Sequence, residues 1–437
     1  MDNGYLVRFV QVHEDFRKAE LEALASLTHT AMEVVDYRSD SPFCVIRLRS
    51  SETAKQLLSR SILGSSIFEI WGAGFDYPSL HEDVRKRSSA SCLKYRNSSF
   101  RFTIDGYQGK RNQASKKSLI ESFKYLGFEG PIRMNDAELQ LCIFEDYDLH
   151  ASKPKRMFLG QWIADSGRSA VTTFDLKRRH YISTTSMDAE VALITANMVQ
   201  AQPGKLIYDP FVGTASLTIA CAHFGAMTVG SDIDGRSIRG KQDRNIVSSY
   251  EQYGMTLRYL DGFVSDLTHS PLRQTRLLDG IVCDPPYGIR EGLKVLGSKD
   301  GSGKEEVVID GVLAHLRPGY IPPKKPYSFD VMLDDILDFA ALMLVDGGRL
   351  CMWMPSANES NAELAIPTHP ALTIVNVCVQ PFNKWSRRLL TFARLPDSRI
   401  EESVPRERKI ISVGANADEL NPFRKRYFEG FKTYSEG

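Results

Sequence analysis

Leu206-Ile207-Tyr208-Asp209-Pro210-Phe211-Val212-Gly213-Thr214-Ala215-Ser216 reads as a short apolar strand, an acid at its end and a glycine-bearing turn. A helix over Leu217 to Phe224 continues it. The same grammar then repeats. Met227 to Gly230 is a second strand and ends in Ser231-Asp232-Ile233-Asp234. A helix over Arg236 to Tyr250 and a strand near Thr256 to Leu260 lead to Asp266. The apolar run Leu277 to Cys283 ends at Asp284-Pro285-Pro286-Tyr287. A helix from about Val331 to Leu344, the Asp346-Gly347-Gly348 turn and a strand over Arg349 to Met354 follow, and Leu372 to Gln380 and Leu389 to Arg394 read as closing strands. Upstream, Thr184-Thr185-Ser186-Met187-Asp188 has the hydroxyl-then-acid spacing of a helix start. The helix it opens carries Val191, Ile194, Met198 and Val199 on one face. Regular strand–helix alternation of this kind implies an α/β domain with a parallel sheet.

The chain before about residue 166 is organised differently. Strands at Tyr5 to Val10, Phe43 to Leu48 and Ile67 to Ile70, with helices at Phe16 to Leu27 and Ala54 to Ser61, predict an α+β sandwich over 1–85. The basic stretch Arg85 to Asn97 reads as a boundary. A second small unit over 86–165 combines strands at Phe100 to Ile104, Leu139 to Glu145 and Met157 to Trp162 with a helix over Ser115 to Leu126. The α/β domain then spans 166–400, and 401–437 reads as a charged, peripheral tail. Gly301 to Lys325, rich in Gly, Pro and Lys, predicts a long mobile loop.

With 437 residues, 42% of them hydrophobic and 25% charged, the chain has the composition of a globular protein of two or three domains. No twenty-residue apolar span or charged-then-apolar leader is present, so neither a membrane helix nor a signal peptide is expected. Seven scattered cysteines with no metal-ligand spacing favour a reduced, cytoplasmic chain without a metal. A net charge of +1 means that any nucleic acid must bind through local clusters. Lys177-Arg178-Arg179 and Lys384-Trp385-Ser386-Arg387-Arg388 are such clusters.

Ligands of open parallel sheets bind at the carboxyl ends of strands. Asp209, Asp232, Asp266 and Asp284 all stand there, in successive units. One aspartate alone reads as a helix cap or a surface charge; the recurrence points to a ligand. An acid before Gly213-Thr214 would repel a pyrophosphate, which argues against a dinucleotide. It suits S-adenosylmethionine (SAM), which carries a sulfonium and an amino group and no phosphate. Asp232 would then accept the ribose hydroxyls and Asp266 the adenine amine. Asp284-Pro285-Pro286-Tyr287 suits methylation of an exocyclic amine on a planar base. The carboxylate and a carbonyl aimed by rigid prolines accept its two N–H bonds, drawing the lone pair out of conjugation. Tyr287 would stack on the ring, a contact worth roughly 1–3 kcal/mol. DPPY serves guanine N2 and adenine N6 alike. An N6-adenine methyltransferase and a non-catalytic RNA-binding scaffold with a methyltransferase fold are therefore the rival readings. A nicotinamide dehydrogenase stands further off.

The chain also resembles the catalytic subunit of the eukaryotic tRNA (guanine-N2)-methyltransferases that modify guanosine 10. The resemblance runs from Phe9-Val10-Gln11-Val12-His13 to about Phe392. It is carried by Tyr125 to Gly130, Asp175 to Arg179, Thr184 to Met187, Tyr208 to Thr214, Gly230 to Arg236, Cys283 to Arg290, and Phe382 to Leu390. It implies a ferredoxin-like domain, a THUMP RNA-binding domain and a Rossmann-like class I SAM-dependent methyltransferase domain. It implies tRNA as substrate, and a small zinc-binding activator subunit as partner in a heterodimer. Asp284, Pro285, Pro286 and Tyr287 become the expected catalytic residues. The expected cofactor set is Thr185, Asp209, Phe211, Gly213, Thr214, Asp232, Ile233 and Asp266. Lys177, Arg178, Arg179, Lys384, Arg387 and Arg388 are the expected RNA contacts. The chain departs from the family at Ala215, where a second glycine is common, and at His180 and Ser183, where Pro and Gly are common. A β-carbon at 215 is tolerable if the residue is helical.

Overall fold

The first unit of the chain, Met1–Thr172, is built on one seven-stranded sheet with the order β2-β3-β1-β4-β7-β6-β5. In chain order its elements are β1 (Asn3–Phe9), α1 (Arg17–Leu27), β2 (Glu33–Tyr37), β3 (Phe43–Leu48), α2 (Ser51–Leu58), β4 (Gly64–Gly74) and α3 (Tyr77–Arg87). They continue as α4 (Ser89–Lys94), β5 (Phe100–Tyr107), α5 (Gln113–Glu121), β6 (Leu139–Asp146) and β7 (Arg156–Asp165). The computed structural model describes residues 3–289, 292–297, 308–317, 320, 322–357, 366–383, 385–400 and 419–429. β4 pairs with β1 on one side and β7 on the other, so the division expected at 85/86 falls inside one continuous sheet. The basic run Arg85-Lys86-Arg87 is the last turn of α3, where cations complement the helix dipole. An aromatic cluster of Phe43, Phe68, Phe144 and Phe158 packs one part of the sheet. Trp71, Leu139, Leu141, Ile143 and Leu159 pack another.

The second unit, Thr173–Gly437, has a seven-stranded sheet of order β10-β9-β8-β11-β16-β18-β17. Between α6 (Ser169–Thr173) and the sheet's middle lie α7 (Ala189–Met198), β8 (Leu206–Asp209), α8 (Ser216–His223), β9 (Met227–Asp232), α9 (Gly235–Arg239), α10 (Ile246–Gln252), β10 (Tyr259–Val264) and β11 (Leu278–Cys283). Then come short strands β12 (Lys294–Leu296), β13 (Val308–Ile309), β14 (Val312–Leu313) and β15 (Lys324–Pro326), followed by α11 (Phe329–Met343), β16 (Leu344–Ala357), β17 (Leu372–Pro381), β18 (Trp385–Arg394) and α12 (Pro422–Glu429). β10, β9, β8, β11 and β16 run parallel, while β18 runs antiparallel to both of its neighbours, β16 and β17. The strand order reverses between β8 and β11, which places the ligand crevice at their carboxyl ends. α11 buries Met332, Leu333, Ile336, Leu337 and Ala340 against Tyr208, Ile281, Leu350, Met352 and Leu390.

Three expectations change in detail. The helix over Arg236 to Tyr250 is broken into α9 and α10, because Gly240 takes φ 65°, ψ −154°, a conformation closed to other residues. α7 starts at Ala189 with Asp188 as its cap, its carboxylate accepting from the Glu190 amide; Thr184 and Thr185 lie in the preceding turn. Within Gly301 to Lys325, β13 pairs with β14, and β15 pairs with β12; residues 301–307, 318–319 and 321 lie outside the described residues. No described helix is long and apolar enough to cross a membrane.

Candidate active site

Asp209 ends β8 and is only 2% exposed. Its Oδ1 accepts from the Phe211 amide at 2.9 Å, and it has no ion pair among the described residues. Burial, with Asp232 and Asp284 nearby, pushes its carboxyl well above the usual range. Asp232 ends β9 and holds the neighbouring loop. Oδ2 accepts from the Gly213 amide at 3.0 Å, and Oδ1 from the Asp234 amide at 2.8 Å. Burial raises its pKa as well. The loop between β8 and α8 is pinned from a second side, since the Thr214 hydroxyl lies 2.7 Å from the Ser186 hydroxyl. Ser186, rather than the exposed Thr185, reaches the loop; Thr185 bonds to Ser183 at 3.1 Å.

Ala215 is not helical. It caps α8 in the left-handed region at φ 67°, ψ 26°, fully buried, so its β-carbon sits where glycine carries no strain. Asp266, past β10, is buried and holds the local backbone, with Oδ2 accepting a single bond among the described residues. Oδ1 accepts from the His269 amide at 2.8 Å and the Thr268 hydroxyl at 3.0 Å, and Oδ2 accepts from the Leu296 amide at 2.7 Å. Leu296 belongs to β12. Lys324, on the paired β15, donates to the Ile233 carbonyl at 3.3 Å. The β12–β15 ribbon thus crosses the ends of β9 and β10.

Asp284 follows β11. The Tyr287 hydroxyl donates to its Oδ1 at 2.5 Å, and Arg387 Nη1 stands 3.8 Å from its Oδ2. Burial raises the Asp284 carboxyl above its ordinary value, and the Arg387 charge opposes that rise. Burial also raises the Tyr287 phenol. Cys283 is fully buried in the core beside Ile281, and burial pushes its thiol up. The Tyr287 ring meets Trp385 edge-on at 6.1 Å and 74°. Trp385 stacks on Phe382 at 4.5 Å and 18° and packs beside the tyrosine.

The basic clusters divide. Lys177 and Arg178 are exposed, but Arg179 is buried, with Nη1 donating to the Ser216 hydroxyl at 2.9 Å. Arg387 has a side chain 14% exposed. It lies over the Trp353 ring at 4.6 Å and donates to Gln380 Oε1 at 2.6 Å. Arg388, next on β18, is half-buried, and Lys384 lies outside the described residues. The sequence suggested both Arg179 and Arg387 as RNA contacts because a charge run carries no sign of the aromatic or hydroxyl partner awaiting one member.

It also missed residues 419–429. Far from peripheral, this segment packs on the loop after Asp284, with Phe423 fully buried and the Asn421 side chain donating to the Tyr287 carbonyl at 2.8 Å. The one local signal was Asn421-Pro422-Phe423, a helix cap, a proline at the first helical position and an apolar residue, set in a charged stretch.

Residues 3–168 match the family described as Tmrp11 THUMP N-terminal domain, and residues 177–296 match RMKL-like, methyltransferase domain. A tRNA (guanine(10)-N(2))-methyltransferase of Saccharomyces cerevisiae is 42% identical over 98% of this chain and 99% of its own. One from Schizosaccharomyces pombe is 39% identical over 90% of this chain and 82% of its own. Among solved structures, TrmN from Thermus thermophilus is similar over 90% of this chain and 100% of its own, at 15% identity and a TM-score of 0.42. With a THUMP domain, a methyltransferase domain and relatives aligned along nearly the whole chain, this protein is an enzyme of the tRNA (guanine(10)-N(2))-methyltransferase family.

Proposed function

We propose that the chain methylates the exocyclic N2 amine of the guanosine at position 10 of tRNA, with SAM as donor. One observation carries the reading: Asp209 and Asp284 stand on adjacent strand ends, at the switch point of a parallel sheet. Asp209 fits a cationic ligand, because a buried carboxylate without an ion pair among the described residues is relieved by an ammonium. Asp232 would hold ribose hydroxyls, with Thr185, Phe211, Gly213, Thr214, Ile233 and Asp266 completing the cofactor set. When bound, the cofactor supplies an electrophilic methyl group.

The chain's own residues do the rest. Asp284 and the Pro285 carbonyl accept the N–H bonds of the amine and hold its lone pair in line. Oδ1 of Asp284 already serves Tyr287, which leaves Oδ2 as the roomier acceptor. Tyr287 borders the base. Such a site works by positioning and electrostatics, with no covalent intermediate. The exposed Lys177 and Arg178 suit tRNA phosphates.

We further infer a small zinc-binding activator subunit as partner. β10 is an outer strand of the sheet, and Leu257, 91% exposed, and the exposed Leu260 and Val264 lie on or beside it. The free thiols support a cytoplasmic setting. The deciding assay uses labelled SAM and unmodified tRNA transcripts, with and without co-expressed activator, followed by nucleoside analysis. N2-methylguanosine formed only with the partner present is the expected result. N6-methyladenosine would overturn the substrate. Bound SAM with no product would leave a scaffold.

A further inference from the structure

The loop leaving β11 turns out three consecutive backbone carbonyls, those of Tyr287, Gly288 and Ile289. All three are taken by one short segment near the end of the chain. Asn421 Nδ2 donates to the Tyr287 carbonyl at 2.8 Å, and Arg424 Nη1 donates to those of Gly288 and Ile289 at 2.5 and 2.6 Å. Asn421 is 2% exposed, and its Oδ1 accepts from the Arg424 amide at 3.0 Å, so one side chain caps α12 and grips the loop. Phe423 meets the Tyr287 ring edge-on at 6.4 Å and 82°. The segment is itself anchored, since the Leu420 carbonyl accepts from the Phe329 amide at the start of α11 at 3.0 Å. Loop and segment approach closely: Gly288 has φ +70°, and a β-carbon there would lie 2.6 Å from Asn421 Nδ2.

We propose that residues 419–429 are a working part of the target-base pocket, with Asn421 and Arg424 as positioning residues for Tyr287 and the loop behind it. The proposal rests on reading Asp284 to Tyr287 as the amine site. Prolines stiffen the backbone at 285 and 286, but nothing in the tetrapeptide fixes the direction taken after Tyr287. The carbonyl grips set that direction, and with it the placement of the tyrosine that donates to Asp284. Direct transfer tolerates little misplacement: about 1 Å costs on the order of a hundredfold in rate.

The test uses the full chain with its partner subunit and compares Asn421→Ser, Arg424→Ala and Arg424→Lys with Asp284→Ala. Serine keeps an N-cap acceptor but is too short to reach the Tyr287 carbonyl. Lysine keeps the charge but not the planar guanidinium that aims Nη1 between the two carbonyls. Rates are normalised to SAM-binding sites, so loss of folded protein does not count. Asn421→Ser and Arg424→Ala are expected to lower kcat about tenfold to a hundredfold, with Arg424→Lys in between. SAM and tRNA dissociation constants should stay within about twofold. Unchanged kcat per site in Asn421→Ser and Arg424→Ala, with Asp284→Ala inactive, would show the segment to be structural only and overturn the proposal. An active Asp284→Ala would instead bring down the amine-site reading, and the positioning role with it.

Discussion

Replacing Asp209 by Asn should make the protein more stable and worse at binding its cofactor, a pairing that only an uncompensated buried charge produces. The carboxylate is 2% exposed, accepts the Phe211 amide at 2.9 Å and has no cationic partner among the described residues. The amide oxygen of asparagine keeps that hydrogen bond and removes the charge. A buried ion carries an effective penalty of several kcal/mol, of which hydrogen bonding and any local water recover part, so a net gain of about 1–3 kcal/mol is expected. At about 2–4 °C per kcal/mol this is readily seen in a thermal melt.

The pH dependence gives the sign. The folded-state pKa of Asp209 lies above its unfolded value, so the folded state holds a proton that the unfolded state has released. Stability contributed by this group therefore falls as pH rises from roughly 4, the unfolded carboxylate value, up to the raised folded value. The D209N advantage should be small near pH 4 and larger at pH 8. Loss of a charge-assisted contact to the cofactor's ammonium, worth roughly 1.5–3 kcal/mol, predicts about tenfold to a hundredfold weaker SAM binding by calorimetry. A D209N protein that melts lower at pH 8, or binds SAM as tightly as the parent, would refute the reasoning.

The kcat–pH profile should show an acidic limb above the ordinary carboxylate range, because Asp284 must be ionised to accept the amine and burial raises it. Arg387→Gln removes the opposing charge and should move that limb to higher pH; an unmoved limb would assign it to another group. Ala215→Gly relieves a left-handed residue, which costs roughly 1–2 kcal/mol, at a price of about 0.5–1 kcal/mol in unfolded-chain entropy. The expected melt is unchanged or slightly raised, whereas a helical position would lose stability. In the first unit, Glu20→Ala strips the acceptor from the Ile62 and Leu63 amides and the Ser61 hydroxyl, each at 2.9 Å. Chemical denaturation should show a loss of about 3 kcal/mol or more.

The second unit was readable because parallel strands buried on both faces are written as unbroken apolar runs, and the acids that follow them fall at the same place in each repeat. Where burial is partial the signal fades. β2, Glu33–Tyr37, sits at the edge of its sheet with no fully buried residue, and its Glu-Val-Val-Asp-Tyr carries no clean alternation. α3 was hidden for another reason. Its closing Arg85-Lys86-Arg87 looks like a solvated linker until the helix that precedes it is seen, capped by Asp76 with a reciprocal Ser79 bond. Ala215 shows a limit of type-based reading. Alanine is the best helix former, yet the turn that grips Asp232 through the Gly213 amide demands a left-handed residue directly before α8.

Reacting groups and their supports differ in how they can be found. Accepting two N–H bonds from an aromatic amine needs a carboxylate and an aimed carbonyl, and few residue types at one spacing supply both; Asp284-Pro285 therefore announces itself. Holding three loop carbonyls needs only donors at the right place, and almost any polar side chain brought there by the fold would do. Asn421 and Arg424 reach Tyr287 and Gly288 across sequence separations of 134 and 136, so no local pattern links them. Arg387 teaches the same lesson from the other side. Its position in a basic run suggests phosphate, but the fold gives it Trp353 as a platform and Asp284 as a neighbour. On the proposed mechanism, charge opposite Asp284 is part of that acid's chemistry rather than of RNA capture. The separation is testable within one variant: Arg387→Gln should shift the acidic limb of kcat while leaving the salt dependence of tRNA binding unchanged, since a residue that touches no phosphate releases no counterion. A shallower salt slope with an unmoved limb would return Arg387 to the RNA.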